Sequence, residues 1–171
     1  MEPIKTYDYL TRARRRILDW VRPFGAEQYA REFPIGRGTL GRTLTHIMIS
    51  EWYYVRRMQE QPVPPYGEWP IQEERPPAFA ALEAEWSEQA ARTRAALSAV
   101  RDWTRELEYE VTQDDGRRAI VTASPADIFT QLALHEVHHR AQAMNMLRHL
   151  GVTVEDIDFN AIMYQRRPAT A

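Results

Sequence analysis

The chain has 171 residues, 44% hydrophobic and 27% charged, which describes one globular domain over 1–171 with enough apolar material for a core. Its net charge of −2 supplies no field to recruit nucleic acid or anionic lipid, and no apolar run approaches the roughly 20 residues that span a bilayer. Cysteine is absent, which excludes disulfides, thiolate ligands and a protein-borne thiol nucleophile together.

The expected partner is therefore a small molecule, with no nucleic acid and no membrane. Met1-Glu2-Pro3-Ile4-Lys5 lacks the charged-then-apolar layout of a signal peptide, so the expected location is cytoplasmic. Arginine pairs (Arg15-Arg16, Arg56-Arg57, Arg117-Arg118, Arg166-Arg167) are scattered and mostly have acids nearby, as solvated faces do.

A first helix is expected over about 6–22, with Leu10, Ala13, Ile17, Trp20 and Val21 on its apolar stripe and Pro23 closing it. After a connection rich in Pro and Gly, Thr39 reads as the N-cap of a second helix over about 39–60. That helix carries Leu40, Leu44, Ile47, Tyr54 and Met58 on one side and His46 at its edge. Residues 61–77 hold six of the eleven prolines, interleaved with Tyr66, Gly67 and Trp69. No helix interior tolerates this, so the segment reads as a long loop, either a cover with aromatic walls or a surface connection pinned by Trp69.

A third helix follows over about 78–101. The period then changes: from Arg105 to Thr112 apolar residues alternate with Glu, and Gln113-Asp114-Asp115-Gly116 supplies a turn. A hairpin over about 105–122 is expected, packed on the helices. Ser124, Pro125 and Asp127 then give a strong start to a fourth helix, over about 124–150, which stops at Gly151. A turn of helix around Phe159–Met163 is expected in the tail, ended by Pro168. The fold class is all-α: an up-down four-helix bundle with a small β-hairpin before the last helix.

On the fourth helix, His135 and His139 lie one turn apart and can aim at one point. They interrupt a stripe of Ile128, Leu132, Ala143, Met146 and Leu150 that should face the core. A metal explains them; two core histidines bonded to neighbours is the alternative. A third ligand must come from another helix, and His46 is the only histidine outside the fourth. Three imidazoles with one position left open is the arrangement of a catalytic rather than a structural site. His138 points about 100° away around the helix, and His149 fits a surface cation near the helix end. The stretch also spells His-Glu-x-x-His, with Glu136 as the base of a zinc protease. The extended form of that pattern fails, since Gln142 stands where it needs Gly. Glu155, beyond the helix end, is the only acidic third-ligand candidate with tolerable spacing, and the sheet expected beside such a helix is lacking.

Two stretches resemble the DinB-like family, which shares its four-helix bundle with YfiT-like metal-dependent hydrolases. Leu44-Thr45-His46 followed by Glu51-Trp52-Tyr53-Tyr54 is similar to the family's first ligand and the acidic-aromatic run after it. His135-x-x-x-His139-Arg140-Ala141-Gln142 matches the family's His-x-x-x-His-Arg-Gly-Gln except at Ala141, which keeps the position small. The late hairpin and Leu147-Arg148-His149-Leu150-Gly151 also fit, so the likeness covers about 6–151.

The resemblance implies that His46, His135 and His139 bind one divalent metal, zinc or nickel, and that the protein is a homodimer. It implies either a hydrolase or an S-transferase using a small external thiol, as relatives do with bacillithiol or mycothiol. Ser50, Glu51, Tyr53, Arg140 and Gln142 are the candidates to hold the ligands or handle protons. Glu51 could instead pair with an arginine such as Arg140 and orient helices. A non-enzymatic, metal- or small-molecule-binding stress-response bundle is the alternative, and it predicts no exchangeable metal position.

Overall fold

Helix caps, more than apolar stripes, set where the elements begin. The computed structural model describes residues 2–113 and 115–167. Helix α1 (Pro3–Val21) starts at Pro3 rather than Thr6, because proline at the first helical position brings a preset φ and gives up an N–H that has no partner there. After a short α2 (Ala26–Ala30), α3 (Leu40–Met58) starts as the sequence predicts: the Thr39 hydroxyl accepts the Arg42 N–H at 3.0 Å. It ends two residues before the predicted Glu60, which sits at φ 57° and turns the chain away.

Helix α4 (Phe79–Ala99) follows the loop, with Ala78 as its N-cap. Strands β1 (Leu107–Thr112) and β2 (Arg118–Ala123) pair antiparallel from Leu107↔Ala123 to Thr112↔Arg118. The hairpin does not reach back to Arg105, because the residue after Ala123 is already the cap of the next helix and no strand remains opposite. In α5 (Pro125–His149), Ser124 and Asp127 form a reciprocal capping box. The tail carries α6 (Phe159–Met163), where one turn of helix is predicted. Asp114 of the hairpin turn and Pro168 lie outside the described residues.

The chain is mostly helical with one small two-stranded sheet. α3 packs on α5 and α4, and α1 packs on α5, α4 and α6. Leu10, Leu44, Leu82, Trp86, Met146 and Leu147 fill the space between them and are almost fully buried. Each such side chain contributes about 1.5–3 kcal/mol of transfer free energy. Tyr9 fastens the tail, donating to the Ile157 carbonyl at 3.2 Å while its ring meets Phe159 edge-on. Arg57 fastens the hairpin, lying over the Tyr109 ring and donating to the Glu110 carbonyl at 3.1 Å. No helix among the described residues is long and apolar enough to cross a membrane.

The core also contains charge. Arg14 of α1 bridges Glu51 of α3 and Glu136 of α5, with Nη2 at 2.7 Å from an oxygen of each. Glu51 accepts further hydrogen bonds from Tyr7, from Thr93 at 2.6 Å and from the Trp86 indole N–H at 2.9 Å. The Arg14 guanidinium lies 4.3 Å over the Trp86 ring, and all three charged residues are at most 5% exposed. Burial pulls the Arg14 pKa down, but Glu136 and Glu51 outweigh it and hold it above its ordinary value. Burial raises the Glu136 pKa against the pull of Arg14. One guanidinium shared by two carboxylates explains why the second carboxylate is not fully compensated.

Candidate metal centre

Capping fixes the start of α3, and His46 follows two turns later, facing α5. The loop before that cap is tight: the Phe33 N–H donates to Gly38 at 2.7 Å and the Gly38 N–H to Ile35 at 2.9 Å. Gly36 and Gly38 take φ of 49° and 88° there, a region that favours glycine. On α5, one turn separates His135 from His139, so both rings reach the same face as His46.

The three rings converge. Their centroids lie 4.4 to 4.8 Å apart, and one ligand nitrogen from each falls within 4.8 Å of the others. Among the described residues this is the one group of three or more metal-ligating side chains that could hold an ion. His46 Nε2 and His135 Nε2 are 3.0 Å apart, close to the spacing of two ligands on one ion with about 2.0–2.1 Å bonds.

Hydrogen bonds at the outer nitrogens select the tautomers. His139 Nδ1–H donates to Gln142 Oε1 at 2.9 Å, which leaves Nε2 bare toward the centre. His46 Nδ1 is paired with the Glu73 carboxylate, and Arg37 holds the other oxygen of that carboxylate. Arg37 also approaches Nδ1, at 3.2 Å, but a guanidinium cannot accept a hydrogen bond, so the Nδ1–H donates to the Glu73 carboxylate. His135 packs edge-on against Tyr54.

All three histidines are half-buried rather than deep in the core, where Glu136 and Arg140 sit instead. Burial, reinforced by the neighbouring histidines and Arg37, lowers the His135 pKa to about 3. Burial likewise lowers that of His139, against the hydrogen bond with Gln142. Neutral imidazoles are what a metal needs, and the burial that lowers both pKa values favours that form. At Glu73, burial disfavours ionisation, yet the hydrogen bonds from His46 and Arg37 prevail and hold its pKa below the usual carboxylate value.

A family model, DinB family, matches residues 2–169. The chain belongs to the DinB family. No curated protein matches its sequence.

Within this DinB-family chain the remaining candidates separate. Gln142 is at the centre, bonded to His139 and, through Nε2 at 3.0 Å, to the exposed His138. Glu51 is not near the histidines; it faces α1 and α4, and its arginine partner is Arg14 rather than Arg140. Arg140 donates to the Tyr9 hydroxyl. Tyr53 stacks on Trp69, 5.7 Å between centroids, and Ser50 is half-buried on the same helix. Glu136, the base of the protease pattern, points into the core against Arg14. His149 is exposed beside Phe33.

The Pro-rich loop is the part the sequence reading left open. Trp69 meets Trp52, Tyr53 and Tyr66 at 5.0 to 5.7 Å and donates to the Pro64 carbonyl, which pins the loop to α3. Trp52, Trp69, Pro70 and Ile71 do wall a cavity, but its other side is lined by Glu85, Gln89 and Arg92 of α4, and no histidine lines it. Glu73 is the residue that reaches the centre. Its signal in the sequence is faint: one of three acids in a loop without periodicity, 27 positions from the histidine it meets.

Proposed function

We propose that this protein is a metal-dependent enzyme whose three histidines hold one divalent ion, zinc or nickel, at the edge of an up-down four-helix bundle. One observation carries the reading: a ring nitrogen from each of three histidines lies within 4.8 Å of the others, and the described residues bring no fourth histidine or carboxylate to that group. With no cysteine in the chain either, a position stays open for a small molecule. Four protein ligands would instead have pointed to a structural metal.

The bound ion would supply either an activated water for hydrolysis or an activated external thiolate for attack on an electrophile. The chain's own residues prepare for this by favouring neutral imidazoles, fixing two tautomers and orienting two rings. Imidazole ligands suit zinc, nickel and iron alike, so the ion is named by the family likeness rather than by the ligands.

Elemental analysis of tag-free protein beside His46→Ala and His139→Ala tests the centre. The expected result is one divalent ion per chain in the parent and its loss from both variants with helicity intact. Equal metal content in all three would sink the proposal. With the loaded protein, an electrophile panel run with and without a low-molecular-weight thiol separates transferase from hydrolase.

A further inference from the structure

We propose that Glu73 is a positioning residue for the metal centre and that, through it, seating the Pro-rich loop and loading the ion are one coupled event. The inference rests on the three-histidine reading and adds a loop to it. Glu73 is 5% exposed, although it belongs to a loop segment whose neighbours Glu74 and Arg75 are exposed. One oxygen of its carboxylate meets His46 Nδ1 and the other meets Arg37.

Trp69 anchors the loop on α3 through Trp52 and Tyr53, and hydrogen bonds within the loop then present Glu73. The Tyr66 hydroxyl accepts the Glu73 N–H at 3.0 Å and donates to Glu74 at 2.7 Å, so Tyr66 sets the backbone that presents the carboxylate. Gln72 donates to the Gly67 carbonyl at 2.8 Å, closing the loop on itself. From the other side, Arg37 comes from the tight glycine loop before α3. Two connections that share no secondary structure thus meet at the outer nitrogen of one ligand.

The coupling follows from charge. A cation on His46 Nε2 withdraws electrons from the ring and strengthens Nδ1–H as a donor to a carboxylate. Glu73 therefore binds its histidine more tightly when the ion is present. By linkage the ion binds more tightly when Glu73 is in place, and by the same factor. Arg37 holds one carboxylate oxygen and so aims the other at Nδ1. The loop is in this sense an outer part of the centre, and it has no counterpart at His139, where Gln142 of the same helix does the orienting.

The test uses the full-length protein, zinc and two readouts. Zinc affinity is measured by competition with a chromophoric chelator, and amide hydrogen exchange is followed over residues 66–75 with and without zinc. In the parent, zinc should slow exchange at the hydrogen-bonded amides of Glu68, Trp69, Glu73 and Arg75. Glu73→Gln keeps the shape and removes the charge; it should weaken zinc binding about 10- to 100-fold and abolish the zinc-dependent protection. Tyr66→Phe leaves the carboxylate intact and loosens only its backbone, and it should weaken zinc binding by a smaller factor. Parent-like zinc affinity in Glu73→Gln, or loop exchange indifferent to zinc in the parent, overturns the coupling while the three-histidine reading stands. A parent that takes up no divalent ion overturns the metal reading itself.

Discussion

Glu136 decides a competition between motif and environment. His-Glu-x-x-His places it beside two metal-ligand candidates, yet the neighbouring position on a helix turns its carboxylate about 100° away, into the core and onto Arg14. Its pKa is raised by burial. The folded state therefore keeps a proton that the unfolded chain has already released, and stability falls as pH rises from the ordinary carboxylate value of 4.5 through the raised one. Urea unfolding followed from that pH to neutrality should show this loss, and Glu136→Gln should flatten the slope. A variant with the parent's pH dependence would assign the proton elsewhere. His46, His135 and His139 were legible at this scale because helical periodicity fixes which residues share a face. Glu73 was not, because nothing in a loop's spacing says where its side chain ends. Arg14 did leave a trace: it lies four residues after Leu10 and three before Ile17, on the apolar stripe itself. Which acids it would choose is a matter of tertiary packing, and Arg140 was an equally good reading for Glu51.

At the scale of elements, caps and turn residues located the helices and hairpin well, and the departures came at ends where a partner strand ran out or proline moved a start. The loop before α3 has a functional stake that its glycines alone did not reveal. A Cβ on Gly36 would lie 2.0 Å from Gln142 Oε1, the atom that holds His139. The Gln142 amide is flexible enough to move aside, so the cost falls on His139 rather than on packing. Gly36→Ala should lose about 1–2 kcal/mol of stability from the positive φ. It should also weaken metal binding, as Gln142→Ala would, and chelator competition checks both. Metal affinity equal to the parent's would show that His139 keeps its orientation without the amide.

Over the whole molecule, the buried charges act as a joint. Arg14 of α1 touches carboxylates from α3 and α5 and lies over Trp86 of α4, so one side chain contacts all four long helices. Replacing a buried ionic cluster completely can be neutral, but removing one partner leaves uncompensated charge. Arg14→Met should therefore cost about 3–5 kcal/mol in urea unfolding, most of it from two stranded carboxylates. Adding Glu136→Gln should recover part of that loss, and strict additivity of the two changes would argue against a shared cluster. Because the three-histidine group and this cluster lie on different faces of α3 and α5, Arg14→Met should also leave metal uptake unchanged as long as the chain stays folded.

The seat of Trp86 has an optical consequence. Among the described residues it is the one buried tryptophan of five, with a fixed cation against its face and its N–H given to Glu51. An indole so placed emits in a dry, electrically asymmetric setting, whereas the other four are partly wetted from the start. Its fluorescence carries a signature the rest cannot imitate, and that signature vanishes only when α1, α3 and α4 part. The protein thus contains its own dye for the opening of its core, insensitive to the loop where Trp69 sits.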